Sequence, residues 1–129
     1  MTASSLRARI DVPRAHAMFP GHFPGMPVAP GAWLLGQAME SLEASVGTSL
    51  EWGQLESGKF HRAVLPGATL EVALEGVPIE AGQSHMTKVA GSGFIPSTIL
   101  ENARLTIWED GVAVATAKFR SVQWQAAGA

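Results

Sequence analysis

The first candidate for chemistry in this sequence is His22, which lies in the stretch MFPGHFPGMPVAPG at residues 18–31. Seven of the thirteen residues from 19 to 31 are proline or glycine, and this composition predicts a long loop. Prolines lower the conformational entropy of the free chain, so the loop should be stiff and should hold its side chains in fixed positions. A histidine held in this way is a candidate general base.

The loop leads directly into one long predicted helix, from about Pro30 to Val46. Its apolar residues recur at helical spacing: Leu35, Ala38, Met39, Leu42 and Val46. Proline suits the first turn, and Gly47 suits the C-terminal end. At a helix start the backbone N–H groups are unpaired and the dipole favours negative charge. A base beside this end could act on a carbonyl compound whose oxygen accepts hydrogen bonds from those N–H groups.

The other three histidines fit structural roles better than catalytic ones. His61 and His85 lie in strand-like stretches, and His16 follows the first predicted strand. The sequence has no cysteine, no HExxH motif, no acidic cluster and no glycine-rich nucleotide-binding motif. We therefore expect neither a bound metal nor a bound cofactor.

Length and charge narrow the classes of protein that the chain can belong to. We expect a single domain over residues 1–129, which is long enough to bury its own core. The formal net charge of -2 gives no reason to expect nucleic acid or an anionic membrane surface as a partner. The N-terminus MTASSLRARIDV lacks the apolar core of a signal peptide, and no apolar run approaches the ~18 residues of a membrane span. The expected location is cytoplasmic.

After the helix, short strand patterns alternate with turn residues. Strands are expected at residues 6–12 before the helix and at 59–64, 70–74, 84–90, 103–107 and 112–122 after it. The turns are Pro66-Gly67, Ala81-Gly82 and Asp110-Gly111, and residues 93–97 are expected to form a loop. This order predicts an α+β fold with one antiparallel sheet around the helix. The edges of such a sheet favour pairing with another subunit.

Two segments of the chain carry a resemblance to a known family. FPGHFPGMPVAPG at residues 19–31 resembles the signature of the 3-hydroxyacyl-(acyl-carrier-protein) dehydratases of fatty-acid synthesis. KFHRAVLPGATLEVALE at residues 59–75 is similar to the strand-turn-strand unit that follows the helix in that family. The resemblance implies a hot-dog fold, in which an antiparallel sheet of about five to six strands wraps one long central helix.

The resemblance also implies roles for individual residues. His22 would remove the α-proton of a 3-hydroxyacyl thioester, with its ring oriented by a backbone carbonyl near Val28. The N–H group of Gly31, at the helix start, would polarise the thioester carbonyl. Phe23 and Pro24, next to the histidine, would belong to the substrate-binding surface at the mouth of an acyl tunnel.

The sequence departs from the family pattern at Gly36. In the family, the residue fourteen positions after the histidine is a glutamate or aspartate that handles the proton for the departing hydroxyl, and here that residue is glycine. Acid assistance is typically worth about 10² to 10⁴ in rate, so the change puts a dehydratase activity in question.

Three explanations of the missing carboxylate remain open. Glu40 lies one turn further along the helix and about 40° around its axis, so its side chain could lean back toward Gly36. Gln37, beside the glycine, could donate a hydrogen bond but could not act as an acid. Alternatively, a paralogous partner supplies the carboxylate, because in dimeric members of the family the histidine and the carboxylate come from opposite subunits. In the third explanation the chain is a noncatalytic relative that binds acyl thioesters or stabilises a partner.

The leading functional interpretation is a dehydratase-like lyase of fatty-acid or related polyene or polyketide-type biosynthesis. A hot-dog acyl thioesterase is the alternative from another enzyme class. The acyl group would be carried by acyl carrier protein or coenzyme A, and the chain would form a homodimer, a higher oligomer or a heterodimer with a carboxylate-bearing paralogue. Acyl carrier protein is acidic, so its use would require a basic rim, for which the candidates are Lys59, Arg62, Arg104, Lys118 and Arg120.

Overall fold

The structure, a computed structural model, describes residues 4–14, 29–79, 86–89 and 93–125. Within these ranges the chain forms one helix and seven strands. In chain order they are β1 (Ser4–Asp11), α1 (Gly31–Val46), β2 (Glu51–Trp52), β3 (Leu55–Phe60), β4 (Thr69–Ile79), β5 (Met86–Val89), β6 (Gly93–Glu109) and β7 (Val112–Gln125).

The strands form an antiparallel sheet whose order across the sheet differs from the order along the chain. The sequence across it is β1-β4-β6-β7, β2 and β3 both pair with β7, and β5 pairs with the first residues of β6. The predicted α+β architecture, with one antiparallel sheet and one long helix, is confirmed. The four residues of β5 lie within the strand predicted at residues 84–90, and the two-residue strand β2, which was not predicted, brings the number of strands to seven.

Helix α1 packs its apolar face against the inner side of the sheet. Leu34, Ala38 and Leu42 are buried at intervals of four residues, which places them within about 80° of one another around the helix axis. They join the buried side chains of the long strands, such as Leu74 and Leu105, in one hydrophobic core. The helix is therefore held by its inner face, and its outer face is left for other contacts.

Two predicted chain reversals are confirmed by their backbone geometry. Gly47 ends α1 in the left-handed conformation, with φ of 83°, and its N–H donates a 2.9 Å hydrogen bond to the carbonyl oxygen of Glu43. Asp110 and Gly111, with φ of 50° and 79°, form the tight turn between β6 and β7. No helix in the described ranges is long and apolar enough to cross a membrane.

The strand predicted at residues 59–64 is wrong in position, because β3 covers Leu55–Phe60. The ladder stops after Phe60 because the N–H groups of His61 and Arg62 both turn to one acceptor, the carbonyl oxygen of Val114, at 2.8 and 3.4 Å. All six residues of β3 are exposed, and β7 is its only strand partner in the described part of the chain. β3 therefore forms an edge of the sheet.

The loop predicted at residues 93–97 is also wrong. Gly93 begins β6, and the segment from Gly93 to Pro96 pairs with β5. Gly93 and Pro96, which favoured a loop, lie at the end of a strand of seventeen residues, where the loss of one N–H donor interrupts little of the ladder.

Candidate functional site

The two motif segments of the sequence meet at the start of α1. The N–H group of Ala29 donates a 2.7 Å hydrogen bond to the carbonyl oxygen of Val64, and both residues are buried. Ala29 belongs to the first motif. Val64 belongs to the second motif and lies after the end of β3. The segment that leads into the helix is therefore fixed against the segment that follows the edge strand β3.

The helix start presents unpaired backbone donors. Pro30 occupies the N-cap position with an extended ψ of 143° and no side-chain cap, and the first turn contains no acidic residue. The first helical hydrogen bond runs from the N–H of Leu34 to the carbonyl oxygen of Pro30, at 3.0 Å. The N–H groups of Gly31 and Ala32 precede it and have no acceptor among the described residues. These two donors are placed to bind a carbonyl oxygen that gains negative charge.

An aromatic ring from the edge strand lies against this helix start. A Cβ atom built on Gly31 would lie 2.8, 2.9 and 3.0 Å from three ring carbons of Phe60. Glycine therefore allows the ring to approach the first residue of the helix more closely than any side chain would permit. Phe60 remains 52% exposed, so the ring forms one wall of the helix start and stays accessible. No sequence signal marks Phe60 as a site residue, although it is the second residue of the motif KFHRAV.

Gly36 lies on the face of α1 that points away from the core. Two residues before Ala38 along the helix, it is about 160° from that buried side chain around the axis. Gly36 is exposed, and apart from the adjacent backbone of the helix no heavy atom of the described residues would lie within 4 Å of a Cβ atom built on it. A side chain at this position would therefore project away from the chain's own sheet, into open space.

Glu40 is exposed on the same outer face, but its side chain does not fill the space at Gly36. Its Oε2 atom accepts a hydrogen bond from Nε2 of Gln37 at 3.4 Å. Around the helix axis Gln37 lies about 60° from Glu40 on one side, and Gly36 lies about 40° away on the other. The hydrogen bond therefore draws the carboxylate away from the glycine. Whether Glu40 acts as the acid stays a prediction.

Three of the five residues predicted for a basic rim come together on the outer face of the sheet. They line an open groove of about 180 Å³, which we call the outer-face groove, formed by Ser57, Lys59, Arg104, Thr116, Ala117 and Lys118. The other two candidates, Arg62 and Arg120, are exposed but do not line it.

Several predicted site residues lie outside the described residues: His22, Phe23, Pro24 and Val28, together with His16 and His85. Their roles stay predictions. His61 is described, and it is exposed with its Nε2 atom 3.3 Å from the hydroxyl oxygen of Thr116. The structure thus brings Gly31 and Phe60 together at the helix start and places Gly36, Gln37 and Glu40 further along the same helix.

Comparison with known proteins identifies the family of this chain. Residues 1–91 match the model of the ApeI-like family, described as ApeI dehydratase. A 3-hydroxyacyl-(acyl-carrier-protein) dehydratase FabZ of Latilactobacillus sakei is 40% identical over 72 residues, which cover 50% of this chain and 51% of that protein. The chain spans about half the length of such curated relatives. This chain belongs to the ApeI-like dehydratase family.

Solved structures agree on the fold. The dehydratase heterocomplex ApeI:P from Xenorhabdus doucetiae matches with a TM-score of 0.59 and 15% identity, covering 94% of both chains. A MaoC-like dehydratase from Rhodospirillum rubrum matches with a TM-score of 0.65 and 14% identity, covering 97% of this chain and 93% of its own. The predicted hot-dog fold is confirmed.

Proposed function

We propose that this chain is the base-bearing subunit of a dehydratase that removes water from 3-hydroxyacyl thioesters, and that a homologous partner supplies the acid. The observation that carries the proposal is the outward position of Gly36, opposite the buried face of α1 and without neighbours among the described residues beyond its own helix. A carboxylate at that position would serve a neighbouring subunit. Its replacement by glycine therefore removes the acid from the neighbour's site and leaves the base of this chain in place.

The proposed reaction divides its work between the two subunits. His22 takes the proton from the α-carbon of the thioester, and the electron pair moves toward the carbonyl oxygen. The N–H groups of Gly31 and Ala32 stabilise the negative charge that develops on this oxygen. The bond from the β-carbon to its hydroxyl then breaks, and the partner's carboxylic acid protonates the departing hydroxyl, so that water and a 2-enoyl thioester are released.

The wall formed by Phe60 supports this division of work. Its ring lies against Gly31, and we propose that it shields one side of the helix start from water. Hydrogen bonds to a charged oxygen are stronger where water is excluded, because the local dielectric constant is lower. The donors that bind the carbonyl are therefore held in a more favourable setting than an exposed helix start would provide.

The family supports the heteromeric part of the proposal. A structure from Xenorhabdus doucetiae is described as a dehydratase heterocomplex, and this chain covers 94% of its matching chain. We propose a corresponding assembly here, with a carboxylate-bearing paralogue as the partner. The acyl group would be carried by acyl carrier protein or coenzyme A, without a bound cofactor, in cytoplasmic fatty-acid or related polyene or polyketide-type biosynthesis.

A complementation assay tests the proposal. This chain is mixed with a carboxylate-bearing paralogue whose own catalytic histidine has been replaced by alanine, and hydration of a crotonyl thioester is followed by loss of enoyl-thioester absorbance. We expect the mixture to be active and each protein alone to be inactive. The only complete site in the mixture combines His22 of this chain with the carboxylate of the partner.

The controls assign the activity to named residues. His22→Ala in this chain should abolish turnover by the mixture, whereas His85→Ala should leave it unchanged. If the mixture is inactive, or if His22→Ala does not reduce its rate, the catalytic proposal is wrong. A stable but inactive complex would identify the chain as a noncatalytic partner subunit.

A further inference from the structure

The outer-face groove gathers cations that the sheet places side by side. Arg104 on β6 and Lys118 on β7 are direct register partners, and Lys118 also stands opposite Ser57 on β3. Lys59 lies two residues further along β3, opposite Thr116. Cross-strand partners project from the same face of a sheet, so the three cations occupy one small area of the outer surface.

No carboxylate in the described part of the chain forms an ion pair with this cluster. Like charges placed directly opposite each other on neighbouring strands destabilise a sheet. Glu75 is the register partner of Arg104 on β4, but it forms no ion pair with Arg104 in the described part of the chain. None of the six residues that line the groove is acidic. The arrangement is therefore suited to an external anion that relieves the repulsion.

The hydroxyl groups in the outer-face groove indicate which kind of anion it would bind. The hydroxyl groups of Ser57 and Thr116 line the groove between the cations, and the hydroxyl oxygen of Thr116 lies 3.3 Å from the ring nitrogen of His61. Cationic side chains and hydroxyl donors together form the usual surroundings of a phosphate group, whose oxygens accept several charge-assisted hydrogen bonds. We propose that the outer-face groove binds the phosphate group of a ligand.

The groove is separated from the helix start by a single strand. Lys59 and Phe60 are neighbours on β3, so their side chains project to opposite faces of the sheet. Phe60 contacts Gly31 on the inner side, and Lys59 lines the groove on the outer side. The phosphate could therefore belong to the carrier of a thioester, or it could be free inorganic phosphate. Binding at the groove does not depend on the proposed reaction.

Binding is measured by isothermal titration calorimetry with coenzyme A, with pantetheine, which lacks phosphate, and with inorganic phosphate. We expect coenzyme A to bind and pantetheine to fail. The double substitution of Lys59→Gln and Lys118→Gln should weaken the binding of coenzyme A about tenfold or more, because each lysine donates to the anion. Lys118→Arg should retain binding.

Arg7→Gln is the matched control. Arg7 is exposed and lies in the same cross-strand row as Lys59, through Ala73, Thr106 and Thr116. Four strand spacings separate Arg7 from Lys59, a distance of about 19 Å. The control removes one positive charge from the same face without touching the groove, so it should leave the dissociation constant within about twofold.

The outcomes separate the sources of the phosphate. Binding of coenzyme A without binding of inorganic phosphate supports a carrier-linked phosphate, and equal binding of both supports free phosphate. No binding of any phosphate compound at millimolar concentration overturns the proposal, as does an equal loss of binding in the Arg7→Gln control. Because no turnover is measured, failure of the dehydratase proposal leaves this result unaffected.

Discussion

Two glycines on the same helix have opposite surroundings. At Gly31 the space that a side chain would need is occupied by the ring of Phe60, at distances of 2.8 to 3.0 Å. At Gly36, five residues later, no heavy atom of the described residues beyond the adjacent helix backbone lies within 4 Å of the same position. A side chain at the helix start would therefore displace the ring of Phe60, whereas one on the outer face would meet no described neighbour. Lack of space among the described residues therefore does not explain the glycine at position 36.

The largest expected effect is on the dehydration rate, when a carboxylate is placed at Gly36. Gly36→Glu should raise the dehydration rate of the chain's own homodimer, in the absence of the paralogue, by about 10² to 10⁴, because each copy then supplies its neighbour with a group that can protonate the departing hydroxyl. The rate is measured with a 3-hydroxyacyl thioester, by the appearance of the enoyl product. Gly36→Ala is the control and should give no increase. Equal rates for the two variants would show that the missing carboxylate does not limit the reaction.

The next effect is expected on the free energy of unfolding, when Gly31 is replaced. Gly31→Ala should destabilise the chain by about 1 kcal/mol, because the ring of Phe60 must shift or leave its preferred rotamer. The free energy of unfolding is measured by urea denaturation. In a Phe60→Ala background the same substitution should cost nothing, since the obstructing ring is absent. Equal costs in both backgrounds would mean that the contact does not constrain residue 31.

Replacing glycine by alanine at Gly36 should change the stability in the opposite direction. Gly36→Ala should stabilise the chain by about 1 kcal/mol, because glycine inside a helix is less favourable than alanine by that amount and the added methyl group meets nothing. Urea denaturation again provides the measurement. A loss of stability would reveal a contact at Gly36 that the described residues do not contain.

The smallest effect is expected at Glu40. Its hydrogen bond to Gln37 is 3.4 Å long and lies on an exposed surface, so Glu40→Gln should change the free energy of unfolding by less than about 0.5 kcal/mol. The activity of the heteromeric mixture should also stay the same, because the proposed acid belongs to the partner. A large fall in activity, with folding intact, would instead identify Glu40 as the acid.

The sequence predicts the parts of this fold that have strong local signals. The apolar spacing of α1 and the Asp110-Gly111 turn are local patterns, and both elements are present in the structure. The position of β3 was not predicted, because none of its residues is buried and an edge strand of this kind lacks an alternating apolar pattern. The ladder between β5 and Gly93 to Pro96 was missed because glycine and proline favour loops locally, whereas strand pairing is decided by tertiary contacts.

The candidate site shows a similar division. The helix start and the glycine in place of a carboxylate can be located by counting residues from the motif FPGHFPG. The role of Phe60 could not be predicted in this way, because its contact with Gly31 joins residues 29 positions apart. The outward direction of Gly36 also required the structure, which identifies Leu34, Ala38 and Leu42 as the buried face of α1.

The exposed strand β3 offers a way to control the association of this chain with other subunits by an added peptide. Its six residues, LESGKF, pair with β7 along one side, and the other side carries backbone groups that an added strand can bind. A synthetic peptide of this sequence would compete with any subunit that pairs along β3. Methylation of alternate backbone nitrogens would remove the N–H donors from one edge of the peptide. The peptide could then pair with β3 along its other edge, and no further strand could add to it. Such a peptide would offer a reversible means of separating the chain from its partners without altering its sequence.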